Sequence, residues 1–221
     1  MCGRMIILTY DEVLDVLQAV QAGPDNPYPD WPARAPRDAY PTDAVPVVLS
    51  LEPPVANSGP DPVRILNWGF PVEWQAAPVF NTRIESIAAG RGMWREAAQN
   101  GRCLVPTRGF YERHATETVR SSRTGRKVKR QYEFALVDEP VTWLAGVSGN
   151  GHFSVVTTEP NRYVAPVHNR MPLVLRREEL PQWLEGDFAG LADRSGIELH
   201  VAAEEGKAAG TDDADGQMRL F

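Results

Sequence analysis

The sequence predicts an α+β fold built on a mostly antiparallel, barrel-like β-sheet core with a few flanking helices. Two observations lead there: strand-like segments outnumber helical ones, and the two do not alternate as a parallel sheet would require. Size sets the scale: 221 residues, 43% hydrophobic and 24% charged, suit one domain with a real core.

Thr9-Tyr10-Asp11-Glu12 is a capping box, and Val13, Leu14, Val16, Leu17 and Val20 follow at helical spacing, so 10–21 is predicted to be an amphipathic helix. Gly23 to Pro46 holds seven prolines and reads as an irregular surface loop. Val45–Leu51 and Val63–Trp68 read as strands divided by a Pro/Gly/Asn/Ser loop. A short helix is expected at Gly92–Gln99. Strands follow at Arg102–Val105, Gln131–Val137, Thr142–Val147 and Phe153–Thr157, then a helix at Glu178–Leu184 and a strand at Glu198–Ala202. The domain is expected to span 1–202, with an insert at 113–130. From about Ala203 to Gly216 the chain is small and acidic, as in a flexible tail covering 203–221.

No apolar run approaches the ~20 residues of a membrane span, and Met1–Leu8 lacks the features of a secretory signal. A cytoplasmic protein is expected, with Cys2 and Cys103 as thiols. No metal site is expected, because two cysteines and four histidines show no paired ligand spacing. The net charge of −6 is unevenly spread: residues 178–221 hold eleven acids and three bases, whereas 81–130 hold twelve bases and four acids. A basic body with an acidic tail attracts phosphate locally.

Chemistry first suggests itself at Met1-Cys2-Gly3. A small second residue permits removal of Met1, leaving Cys2 with a free amine and a thiol two carbons apart. Such an amine titrates near 7.7–8.0, attacks aldehydes as the neutral form, and gives an imine onto which the thiol can close as a thiazolidine. Three polar clusters stand in apolar surroundings: Asn81-Thr82-Arg83-Ile84-Glu85, Gly109-Phe110-Tyr111-Glu112 and His168-Asn169-Arg170-Met171-Pro172. A carboxylate partly buried behind two aromatics, as Glu112 would be, has its pKa raised toward neutrality. Each cluster also fits a plainer role: Asn81 as a helix cap, Glu112 as an arginine's partner, His168 as a turn residue.

Met1-Cys2-Gly3-Arg4, Trp68-Gly69-Phe70, Asn81–Glu85, Arg102-Cys103-Leu104-Val105-Pro106, Gly109–Glu112 and His168–Pro172 occur in the order and at the spacing of one family. Over residues 1 to about 177 the chain resembles the SOS response-associated peptidase (SRAP) family of abasic-site processing proteins. The resemblance implies that Cys2 forms a thiazolidine link to abasic sites in single-stranded DNA, without a cofactor. It makes Asn81 a hydrogen-bonding partner of Cys2, Glu112 the acid/base and His168 the group that handles protons on the opened sugar. It makes Arg4, Arg83 and Arg170 phosphate contacts and puts Trp68 where a base or sugar packs. Arg108 and Arg113 stand where the family usually has Asp and Trp, and Thr82 departs from its Asn-Ala-Arg motif.

The 113–130 insert carries seven arginines and lysines plus His114 against Glu117 alone, and reads as a hairpin arm that holds nucleic-acid backbone through Arg126, Lys127, Lys129 and Arg130. The last residues, Gln217-Met218-Arg219-Leu220-Phe221, resemble the peptide by which bacterial repair proteins dock on the sliding clamp, with Gln217, Leu220 and Phe221 as anchors. Two other functions fit the same residues: a thiol peptidase or amidohydrolase with Cys2 as N-terminal nucleophile, and a non-catalytic DNA- or clamp-binding adaptor.

Overall fold

The computed structural model describes residues 2–29, 37–52, 61–90, 92–121, 124–204 and 207–208. Strand β1 (Met5–Ile7) precedes helix α1 (Tyr10–Gln21), which begins and ends where its spacing predicts. Its capping box is formed: Glu12 N–H donates to Thr9 Oγ1 at 3.2 Å, and Thr9 N–H to Glu12 Oε2 at 2.8 Å. Such a cap stabilises a helix by about 1 kcal/mol. The chain continues through β2 (Arg37–Ala39), β3 (Ala44–Val48), β4 (Val63–Trp68), a hairpin of β5 (Phe70–Val72) and β6 (Gln75–Val79), then β7 (Asn81–Arg83), α2 (Ile84–Ala88) and α3 (Trp94–Asn100). The second half holds β8 (Arg102–Arg120), β9 (Lys127–Leu136), β10 (Thr142–Gly149), β11 (His152–Thr158), β12 (Met171–Pro172), β13 (Val174–Leu175), α4 (Leu180–Leu184), β14 (Leu199–Ala203) and β15 (Lys207–Ala208).

Five strands close a barrel. β10 pairs with β11, β11 with β4, β4 with β3, β3 with β8, and β8 returns to β10; only the β11–β4 pairing is parallel. Side chains alternate across the wall, as a closed sheet requires. Cys103, Val105, Leu144, Phe153 and Val155 fill the interior with Trp68 and Phe110, whereas Leu104, Trp143, Ala145 and Val147 pack outward beneath α1, α2, α3 and α4.

β8 is far longer than the expected Arg102–Val105. Its first part pairs with β10, its middle with β1 and its last part with β9, so one strand carries the barrel wall, the Gly109–Glu112 cluster and the basic arm. Gly109 permits this change of partner: a Cβ there would lie 2.7 Å from the Phe134 carbonyl oxygen. The arm is a hairpin, with Arg120 opposite Lys127 and a bulge between Arg113 and Thr118.

Two expectations need correcting. The 23–46 stretch is not wholly irregular, because Arg37–Ala39 adds an edge to β1. The acidic tail does not begin free at Ala203: β14 runs to that residue along β9, and Lys207–Ala208 pairs with β8 at Arg120 and Val119. Backbone pairing to an open sheet edge outweighs the composition there. Residues Gln217, Leu220 and Phe221 lie outside the described residues. Among the described residues no helix is long and apolar enough to cross a membrane, and no three His, Cys, Asp or Glu side chains gather as metal ligands.

Candidate active site

Cys2 sits just ahead of β1, whose antiparallel pairing sets Met5 opposite Phe110, and the Tyr111 N–H donates to the Arg4 carbonyl at 2.9 Å. This register draws the segment before β1 along the Tyr111–Glu112 end of β8. Cys2 is wholly buried within the barrel's apolar cluster. Its Sγ lies 3.6 Å from the Arg4 carbonyl, and its own carbonyl accepts from Asn81 Nδ2 at 2.7 Å. Asn81 opens β7, which pairs in parallel with β11, so the barrel wall fixes its position. The Oδ1 of Asn81 is buried without a hydrogen-bond partner among the described residues, a standing acceptor inside the site.

Glu112 is equally enclosed, 1% exposed behind Phe110 and opposite Tyr132. Burial penalises its charged form and pushes the carboxyl up to about 7. The same burial, with the nearby Glu112 charge, pushes the Cys2 thiol well above its ordinary range. His168 enters from the 159–170 loop, which is pinned to β8 by Ala115 N–H donating to the Val167 carbonyl at 3.1 Å. Partial burial lowers its pKa, favouring neutral imidazole. Asn161, which sequence reasoning passed over, winds this loop: its Oδ1 accepts from Tyr163 N–H at 3.1 Å and Val164 N–H at 3.3 Å, and its Nδ2 donates to the Ile197 carbonyl at 2.9 Å. Its neighbours lie up to 36 residues away, beyond any local pattern.

The structure thus brings Cys2, Asn81 and Glu112 together and anchors the loop of His168 beside the same stretch of β8. It treats the expected nucleic-acid contacts less evenly. Trp68 is a core residue: its ring is 0% exposed, stacked on Phe153 at 6.3 Å, with Nε1 donating to the Phe80 carbonyl at 2.9 Å, so no base reaches it. Arg4 is already clamped, with Asp38 at 2.8 Å, Glu204 at 2.6 Å and its guanidinium 3.9 Å over the Tyr111 ring. Arg170 is buried between Glu85 and Glu159. Arg130 pairs with Glu117 at 2.9 Å. Arg83, Arg126, Lys127 and Lys129 remain exposed. An aromatic that the sequence reading missed lies on the surface instead: Trp74, 70% exposed at the tip of the β5–β6 hairpin. Its place between Glu73 and Gln75 does not by itself fix its exposure; the hairpin geometry does.

Comparison with known proteins adds a family. The model described as SOS response associated peptidase (SRAP) matches residues 1–204. The abasic site processing protein YoaM of Bacillus subtilis (strain 168) is 23% identical over 194 residues, covering 83% of this chain and 79% of that protein. The abasic site processing protein YedK of Escherichia coli (strain K12) is 27% identical over 132 residues, covering 56% of this chain and 55% of that protein. A crystal structure from Bordetella bronchiseptica shares the fold, with a TM-score of 0.61 at 18% identity, over 92% of this chain and 100% of that one.

Proposed function

The chain belongs to the SOS response associated peptidase (SRAP) family, and on that premise we propose that it captures abasic sites in single-stranded DNA covalently through Cys2. The names of its relatives support the choice of DNA lesion. Loss of Met1, through the chain's own chemistry or an aminopeptidase, frees the Cys2 amine. The amine adds to the aldehyde of the opened sugar, and water leaves to give an imine. Sulfur then bonds to the carbon of the protonated imine, nitrogen keeps its proton as the neutral ring amine, the thiol proton leaves for the Glu112 carboxylate, and a five-membered thiazolidine closes. Glu112, half protonated near neutrality, gives the proton that departing water takes and accepts the one that sulfur releases. Asn81 holds the Cys2 carbonyl while the amine turns to the sugar. Neutral His168 handles protons on the sugar oxygen during ring opening.

One observation carries this reading: the Cys2 thiol is buried beside a buried carboxyl. A thiol peptidase relies on a stabilised thiolate, and this setting works against one. Imine formation asks only for a neutral amine, with sulfur following as thiol. The test is a denaturing gel of the processed protein with an abasic oligonucleotide. We expect a stable conjugate, absent in Cys2→Ala, while Cys2→Ser yields at most a link trapped by reduction. Labelling by acyl probes with no DNA conjugate would instead favour the peptidase.

Around this centre, Arg83, Arg126, Lys127 and Lys129 supply phosphate contacts and Trp74 a stacking surface. The Gln217–Phe221 segment docks on the bacterial sliding clamp and keeps the protein near cytoplasmic, nucleoid-bound DNA; deleting 217–221 should abolish clamp binding and leave conjugation intact.

A further inference from the structure

Arg170 looks, in sequence, like one more phosphate ligand beside His168. Its surroundings give it another task. The guanidinium is 8% exposed and meets Glu85 in a two-pronged pair, Nη1–Oε1 and Nη2–Oε2 both at 2.9 Å. Nη1 also meets Glu159 at 2.8 Å, and Nη2 donates to the Thr157 carbonyl at 2.8 Å. A fork engaged on three elements is unavailable to DNA. Those elements matter to the site. Glu85 lies on α2, which continues directly from Asn81 on β7, and Thr157 lies on β11, to which β7 is paired. Arg170 leads into β12, itself paired with Thr157 and Thr158.

The backbone of Arg170 acts on His168 directly. Its N–H lies 3.1 Å from His168 Nδ1, and its carbonyl oxygen 3.0 Å from the same nitrogen. The N–H can only donate and the carbonyl can only accept, so Nδ1 accepts when the ring proton is on Nε2 and donates when it is on Nδ1, and the Arg170 backbone sets the balance. On protonation Nδ1–H turns to the carbonyl. Moving the Arg170 backbone would therefore change which ring nitrogen carries the proton.

We infer that Arg170, locked by Glu85, is a positioning residue: it fixes the ring tautomer of His168 and its placement relative to Asn81. The inference rests on the reading of His168 as a proton-handling group. Glu85 decides between the two roles because its variants have opposite consequences. Its side chain is half exposed, so Glu85→Gln should fold. If Arg170 served phosphate, releasing it from Glu85 would tighten binding to undamaged single-stranded DNA and steepen the salt dependence. If Arg170 positions His168, binding stays within about twofold while conjugation slows about tenfold, as expected when a placed proton donor is loosened.

The experiment compares full-length, Met1-processed wild type, Glu85→Gln, Arg170→Lys and Arg170→Met. It measures affinity for an undamaged oligonucleotide, the rate of conjugation to an abasic one, and the His168 tautomer by ring ¹H–¹⁵N NMR. We expect unchanged affinity, slowed conjugation, a single-tautomer signature in wild type that becomes mixed in Glu85→Gln, and partial recovery of rate in Arg170→Lys relative to Arg170→Met. Tighter binding in Glu85→Gln, or an unaltered tautomer, overturns the proposal. Should wild type form no conjugate, the covalent reading fails, and the tautomer measurement alone still judges the role of Arg170.

Discussion

Two groups of cations border the site, and they differ in what holds them. Arg4 and Arg170 are each gripped by two carboxylates, Asp38 with Glu204 and Glu85 with Glu159. Arg126, Lys127 and Lys129 stand exposed along the arm, where Lys129 Nζ donates to the Ala115 carbonyl at 2.5 Å. The first group is engaged within the fold; the second faces solvent. Charge counted along a sequence does not separate them, because it ignores what each cation already faces.

The contrast can be broken most forcefully at Arg170. Arg170→Ala removes a buried guanidinium that ties α2 and β11 together, leaving a void beside the half-exposed Glu85, and should destabilise the fold by roughly 2–3 kcal/mol, measured by denaturant unfolding, with little effect on the DNA affinity of the molecules that remain folded. On the arm the pattern reverses. Replacing Arg126, Lys127 and Lys129 together by Ala should leave stability within about 0.5 kcal/mol. It should weaken single-stranded DNA binding ten- to a hundredfold near ~0.1 M salt and lower the log–log salt slope by about 2, read by titration at several salt concentrations.

Glu112 sharpens the anionic side of the same contrast. Arg170 holds the Glu85 carboxyl below the usual range, whereas burial raises that of Glu112 to about 7. A raised carboxyl costs stability as pH climbs from the unfolded value near 4.5 through 7. Glu112→Gln should therefore be stabilising by about 2 kcal/mol at pH 8 and neutral at pH 4, seen as a pH-dependent gap in melting temperature, while conjugation slows. The smallest effect is expected at Glu204, 41% exposed on Arg4. Removing it as Glu204→Ala should tighten DNA binding two- to threefold, in keeping with the modest strength of exposed ion pairs; weaker binding would mean that Arg4 is wholly structural.

Much of the fold was legible where a local rule operates. The capping box and apolar spacing locate α1 to the residue, and the preceding Pro/Gly/Asn/Ser loop sets off β4. Three-residue strands such as β1 and β7 are too short to express a period, and they are the strands that carry Cys2 and Asn81 to the site. Cys2, Asn81, Glu112 and His168 were named through ordered motifs. The clamps on Arg4 and Arg170 escape sequence reading because three of their four carboxylate partners lie 34, 200 and 85 residues away. Trp68 was misread because an aromatic residue at a strand end gives no sign of which side of the barrel wall it faces.

The site draws on residues 2, 81, 112 and 168, and its strands meet only when the barrel closes between β8 and β10. Contacts so distant along the chain make for slow folding. During synthesis the amine–thiol residue therefore precedes its carboxyl, amide and imidazole by many seconds at ordinary elongation rates. On the proposed mechanism, reactivity toward aldehydes is tied to completion of the barrel, and a half-made chain carries the amine and thiol without the groups that would arm them.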